Sequence, residues 1–222
     1  MNGHTMNELA DARRQMVACQ IRPADVTDRH LQDAMLAIPR ERFLPRSMAG
    51  AAYADMEIDL GEGRRFMRPR DFAKLVQAAA IKPTDLVLDL ASARGYSTAI
   101  LSRLCETVIG IESNAAFASK AEGALSDVGA DNAVIVTGDL KKGAPEQGPF
   151  NVILVNGAVE FVPEAWLSQL AEGGRLAVIV RERGVGRAKV FTRHGGVTGS
   201  RTVFDSMTSV LPGFEREPEF VL

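Results

Sequence analysis

Residues 86–97 read Leu-Val-Leu-Asp-Leu-Ala-Ser-Ala-Arg-Gly-Tyr-Ser, and this stretch constrains the fold more than any other. A short apolar run carries an acid at Asp89. A tight turn of small residues follows, then a helix-like segment through Thr98, Ala99, Ile100 and Leu101. This is the pattern of a first strand–turn–helix unit in a nucleotide-binding α/β sheet. The turn narrows the ligand. A dinucleotide site needs glycines so that backbone can approach a pyrophosphate. Here Ala91, Ser92, Ala93 and Arg94 precede Gly95, and two Cβ atoms stand where a phosphate would pack. A ligand with an adenosine and no phosphate is tolerated better. S-adenosylmethionine is such a ligand, and its carboxylate can still use the helix N-terminus beyond Gly95. The plainer alternative is a strand–helix turn with no ligand.

From Asp85 onward, strands and helices alternate. The apolar runs predict strands at Leu86–Leu90, Thr107–Ile111, Ala133–Thr137, Phe150–Val155 and Arg175–Val180. Helical spacing falls at Ser97–Leu104, Ala115–Val128 and Glu164–Leu170. Such alternation implies a parallel sheet with right-handed crossovers. After Val180 the rhythm changes to period two, at Ala188–Arg193, Val197–Phe204 and Phe214–Val221, with Gly195-Gly196 as a turn signal. Ahead of Asp85, residues 7–48 read as helices broken by Pro23, Pro39 and Pro45, with Thr27-Asp28 as a cap. Residues 50–70 read as a connector rich in Gly and Arg, and Asp71 as the cap of a helix closed off by Pro83.

The length of 222 residues suits one domain over 1–222, in which 1–84 forms a helical and loop region and 85–222 the sheet. A net charge of −2 gives no long-range bias toward nucleic acid, and no apolar run is long enough to predict a membrane span. Cys19 and Cys105 read as buried reduced thiols, which suits the cytoplasm. The three histidines are scattered, so no metal site is expected.

Ligands of open parallel sheets bind at the carboxyl ends of the strands. The residues expected there are Asp89 to Gly95, Glu112, Gly138-Asp139 and Asn156-Gly157. A carboxylate at Glu112 can accept from two ribose hydroxyls, because it offers two oxygens. Asp139 can accept from an adenine amino group, or simply form a turn after Gly138. A second cluster, Gly61-Glu62-Gly63-Arg64-Arg65-Phe66-Met67-Arg68-Pro69-Arg70, holds four arginines in seven residues. They read either as a carboxylate clamp or as a solvated loop paired with Glu57, Asp59, Glu62 or Asp71.

Beyond these motifs the chain resembles the protein-L-isoaspartate (D-aspartate) O-methyltransferase family. The resemblance runs from about residue 8 to 192. It rests on Met16-Val17, Gln20-Ile21, Asp28, Leu31, Ala34-Met35, Pro39 to Pro45 and Tyr53-Ala54-Asp55 in the N-terminal part. In the sheet it rests on Leu88 to Ser97, Glu112, Gly138-Asp139, Pro149 to Ile153, Pro163, Leu167, Leu170, Gly173-Gly174 and Leu176. The tail Pro218-Glu219-Phe220-Val221-Leu222 is similar to a bacterial branch of that family. Two departures stand out. Ala91 and Ala93 replace glycines of the family's first motif, and Arg94 replaces a small residue. The family's substrate loop reads roughly Gly-x-Gly-Gln-Thr-Ile-Ser-Gln-Pro, and here Arg65 stands for the threonine and Met67 for the serine.

The resemblance implies a class I S-adenosylmethionine-dependent methyltransferase fold: Rossmann-like α/β, a mostly parallel doubly wound sheet, N-terminal helices over the substrate side and antiparallel C-terminal strands. It implies S-adenosyl-L-methionine held by Asp89, Ala91, Ser92, Arg94, Gly95, Tyr96, Glu112, Gly138, Asp139 and Asn156. Arg65, Met67 and Arg68 would position the acceptor. The implied activity is methylation of isoaspartyl carboxylates in damaged proteins or peptides. Arg94 would pair with the cofactor carboxylate or swing over the site. Two alternatives stay open, a different small acid as acceptor and a non-catalytic member that binds cofactor or a protein.

Overall fold

A computed structural model describes residues 6–216. The N-terminal part opens with α1 (Met6–Met16), a π-turn at Val17–Ile21 and a single 3-10 turn at Arg22–Ala24. Helix α2 (Arg29–Ala37) begins where the sequence placed a cap, since the Asp28 carboxylate accepts from the Leu31 amide at 3.1 Å. Short 3-10 turns at Arg40–Phe43 and Arg46–Ala51 follow Pro39 and Pro45. The Gly- and Arg-rich connector is more ordered than expected. It holds a two-stranded antiparallel hairpin, β1 (Ile58–Gly61) and β2 (Arg64–Phe66). Helix α3 (Pro69–Ala79) then starts with Pro69 in its first turn. Asp71 therefore lies inside the helix and is not its cap. It is buried and accepts from Ser206 Oγ.

The strands β3 (Leu86–Leu90), β4 (Thr107–Glu112), β5 (Ala133–Thr137), β6 (Phe150–Val159), β7 (Leu170–Glu182), β8 (Val185–His194) and β9 (Val197–Asp205) form one seven-stranded sheet in the order β5-β4-β3-β6-β7-β8-β9. The pairs from β5 across to β7 are parallel, and β7–β8 and β8–β9 are antiparallel. Helices α4 (Tyr96–Leu101), α5 (Ala115–Asp127) and α6 (Glu164–Ser168) connect the parallel strands. The chain runs outward from β3 to β5, then returns so that β6 lies beside β3. That reversal opens a crevice past the carboxyl ends of β3 and β6. Beside it the β6–β7 register slips between Leu154 and Ala158, which frees Asn156 and Gly157 from regular pairing.

Apolar side chains pack on both faces of the sheet. On one face, Ile21, Leu31, Met35, Phe43, Phe72 and Tyr96 join the N-terminal helices to α4 and the sheet. On the other, Trp166, Phe150, Leu211 and Phe214 cluster, with Trp166 Nε1 donating to the Leu140 carbonyl at 2.7 Å. Phe214, Glu215 and Arg216 lie in no strand, and residues 217–222, with the tail motif, lie outside the described residues. Cys105 is buried but Cys19 is exposed, because it lies on the face of its turn opposite the buried Val17 and Ile21.

The β3–α4 turn depends on Gly95. Its φ of +89° is left-handed, and a Cβ there would lie 2.9 Å from Ala121 Cβ. Gly95→Ala is expected to destabilise the fold by about 2–4 kcal/mol, combining backbone strain with overpacking. Urea unfolding measures this, and a loss below about 0.5 kcal/mol would contradict the packing argument.

Candidate cofactor and acceptor site

The carboxyl ends of β3 to β6 bring Asp89, the Ala91–Gly95 turn, Glu112, Gly138-Asp139 and Asn156 to one cleft. Their roles differ. Asp89 is fully buried and faces inward. Its Oδ2 accepts from Ser97 Oγ at 2.7 Å and Thr98 Oγ1 at 2.6 Å, and its Oδ1 from Asn156 Nδ2 at 2.6 Å. With these three donors Asp89 braces the turn against α4 and β6. Asn156 spends its amide on the same brace and on the Leu90 carbonyl. Asp139 is exposed and caps its own turn by accepting from the Lys141 amide at 2.9 Å, while the Gly138 amide donates to the Glu112 carbonyl.

Glu112 carries the densest polar contacts of the cleft. Its side chain is 0% exposed. Oε2 accepts from the Ala93 amide at 2.7 Å and Oε1 from the Asn114 amide at 2.9 Å. Ser113 Oγ also donates to Oε1 at 3.4 Å, and Arg64 spans both oxygens, with Nη1 2.7 Å from Oε1 and 3.0 Å from Oε2. Arg64 Nη2 donates to the Ala91 carbonyl at 2.8 Å, and the Arg64 side chain is 5% exposed. Of the four clustered arginines, Arg65, Arg68 and Arg70 pair with Asp59, Asp55 and Asp71, as a solvated loop would. Arg64 instead reaches into the crevice. The signal was present in the sequence. Arg64 and Phe66 are two apart on a strand, so both face the same side, and Phe66 is buried.

The turn keeps glycine-like backbone without glycine. Ala91 and Ala93 have φ of +60° and +50°, each at a cost on the order of 1 kcal/mol. Arg94 neither reaches toward a cofactor carboxylate nor covers the cleft. Its Nε donates to the Phe43 carbonyl at 2.9 Å and ties the turn to the N-terminal part. Ser92 is buried and its Oγ has no partner among the described residues. Tyr96 packs its ring within 5.4–5.6 Å of Phe43, Phe66 and Phe72. Arg40, which the sequence reading left without a role, is fully buried over Phe66 and Tyr96, and it donates to the carbonyls of Ala52 and Met67. It thereby fixes the exit of the hairpin, and it buries Met67 beside it.

The remaining space is small and divided. A hollow of about 20 Å³, room for roughly one water, is lined by Ala91, Ser92, Tyr96, Asn156, Met67 and Arg40. A second hollow, about 240 Å³, lies beside Arg64 and is lined by Ser113, Asn114, Leu140 and Pro212. Ala91 lines the first and Arg64 the second, so the Arg64–Ala91 contact lies between them.

Known proteins carry the same organisation. The family model for protein-L-isoaspartate(D-aspartate) O-methyltransferase matches residues 12–210. The chain belongs to this family. It is 37% identical to protein-L-isoaspartate O-methyltransferase of Methylorubrum extorquens (strain PA1), over 84% of this chain and 81% of that one. It is 36% identical to the Roseiflexus castenholzii enzyme of the same name, over 79% and 80%. A solved protein-L-isoaspartate O-methyltransferase superposes with a TM-score of 0.78 at 27% identity, covering 90% of this chain and 66% of that one. Another, from Plasmodium falciparum and bound to S-adenosyl-L-homocysteine, gives 0.77 at 20% identity, covering 95% and 99%. The fold is that of the class I methyltransferases. Methyltransferases of this family use S-adenosylmethionine. Here the acid and amide set at Glu112 suits an adenosine-bearing cofactor by chemistry. The space does not suit it in this arrangement, because Arg64 sits on that carboxylate and small-molecule sites usually offer about 300–1,000 Å³.

Burial lifts the Asp89 carboxyl to about 6, while the donations from Thr98, Ser97 and Asn156 hold it down. In the unfolded chain it titrates near 3.9. Folding therefore takes up a proton between these values, so this contribution to stability is full below about pH 4 and is lost as pH rises through about 6. Asp89→Asn is expected to flatten the fall in stability between pH 4 and 6 by on the order of 2 kcal/mol. Urea unfolding across that range tests it, and an unchanged slope would refute the assignment.

Proposed function

We propose that this chain transfers a methyl group from S-adenosylmethionine to a carboxylate, and that isoaspartyl residues of damaged proteins or peptides are the acceptors. The observation that carries this reading is Glu112. It is a fully buried acid at the end of β4, held in place by two backbone amides, in a chain whose relatives are named for this reaction. The cofactor supplies an electrophilic methyl on a sulfonium. The acceptor carboxylate is already ionised at neutral pH, since such groups titrate near 4, so no general base is needed. What the protein contributes is alignment and exclusion of water. Arg65 and Arg68 suit this task. Their pairings with Asp59 and Asp55, at 3.4 and 3.7 Å, are solvent-exposed and weak, so both can turn to an incoming peptide carboxylate. The two free thiols, one of them exposed, suit a reducing cytoplasm.

A second reading has its own observation. The Arg64–Glu112 pair and the divided cleft favour a homologue that does not turn over. Titration calorimetry with S-adenosylmethionine, followed by a methanol-release assay on an isoaspartyl peptide, separates the two. The proposed function expects binding and ester formation. Arg65→Ala and Arg68→Ala should raise KM for the peptide and leave cofactor affinity unchanged, and added salt should weaken peptide binding. Met67→Ser should leave turnover equal or higher, because it restores a hydrogen-bond donor. Cofactor binding with no methyl ester under saturating conditions would favour the non-catalytic reading, and ester formation only on other acids would move the acceptor.

A further inference from the structure

We propose that Arg64 is a latch on the cofactor seat, so that an adenosine-bearing ligand enters only as Arg64 leaves Glu112. The inference rests on the reading of Glu112 as the ribose acid. The carboxylate has a fixed acceptor capacity. The Ala93 and Asn114 amides take one place on each oxygen, and Arg64 Nη1 reaches both. Two hydroxyl donors and the guanidinium therefore compete for the same lone pairs. When Arg64 leaves, the two amides stay, so Glu112 remains supported as a charged acceptor.

Three features make Arg64 the movable partner. Its Nε is buried without a hydrogen-bond partner among the described residues, an unmet donor that hydration on opening would satisfy. The hairpin that carries it pairs with no strand of the main sheet, and a lone two-stranded hairpin is marginal in water. Its turn, Gly61-Glu62-Gly63, is exposed and left-handed at all three residues. Arg64 and Phe66 anchor β2 against the cleft, beside the buried Ile58 of β1 and the Met67 carbonyl held by Arg40, and Arg64 is the charged member of this set.

The test is calorimetric titration of the full chain and of Arg64→Gln with S-adenosylhomocysteine, which needs no turnover. If the latch is closed in most molecules, the variant should bind at least about tenfold more tightly, since the apparent Kd scales inversely with the open fraction. Equal or weaker binding by the variant overturns the latch. Equal binding together with methylation of an isoaspartyl peptide overturns the latch and leaves the proposed function standing. No binding to either folded protein overturns both. Should Arg64→Gln fail to fold, amide exchange on the unmodified chain decides. Millimolar S-adenosylhomocysteine should speed exchange across residues 58–66, and unchanged or slower exchange there overturns the proposal.

Discussion

The carboxylate of Glu112 holds four parts of the chain at one point. Arg64 brings the β1–β2 hairpin, the Ala93 amide brings the β3–α4 turn, the Asn114 amide brings the start of α5, and Glu112 itself ends β4. Burying both charges of the Arg64–Glu112 pair costs several kcal/mol of solvation, which the forked contact of Nη1 with both oxygens and the added backbone donors offset. Such a pair is poor as a source of stability and effective as a source of specificity. Removing one partner leaves the other charged and buried, at about 3–5 kcal/mol. The N-terminal part and the sheet therefore settle into one arrangement, and the same bond that fixes them closes the crevice.

Asp89 is a second, independent polar anchor, 23 residues earlier in the chain. It acts without a cation. Two hydroxyls of α4 and one amide of β6 satisfy it, at distances of 2.6–2.7 Å. This ties the first turn to the strand on the other side of the reversal point. The cleft is thus framed by two buried acids with different duties. Asp89 braces the scaffold, while Glu112 keeps oxygens that can change partner.

Much of this was legible in the sequence, for physical reasons that differ from element to element. Strands β3 and β4 lie between neighbours in the parallel part of the sheet, so their apolar runs mark them almost to the residue, while β5 lies at the sheet edge and is marked by its β-branched run although Val134 and Val136 are exposed. Strands β6 and β7 extend beyond the predicted spans, because each continues past an irregularity in the β6–β7 ladder, at Asn156-Gly157 and at Gly173-Gly174, where the polar and glycine residues break the apolar run. The hairpin was hard to read because its strands are only four and three residues long and one of the two inward residues of β2 is a charged arginine beside Phe66. Asp71 misled because Pro69, the better first-turn residue, comes two positions earlier. Asp89 and Glu112 look alike as acids near strand ends. What distinguishes them is whether neighbouring hydroxyls and amides fill every oxygen, and that is decided by tertiary contacts.

The departures from the family motifs fall on contacts that close the crevice. Ala91 accepts from Arg64 through its carbonyl, Ala93 donates to Glu112 through its amide, and Met67 accepts from Arg40 through its carbonyl. These three bonds use backbone atoms, so the turn and the hairpin survive side-chain replacement there. The backbone also retains left-handed torsions at Ala91 and Ala93, at some strain. Arg94 and Arg64 differ in kind. Each works through its guanidinium, one holding the turn to Phe43 and the other holding the hairpin to Glu112. Chemistry that needs a space at Glu112 therefore depends on the balance between the Arg64 guanidinium and a ligand's hydroxyls, rather than on the loss of glycines from the turn.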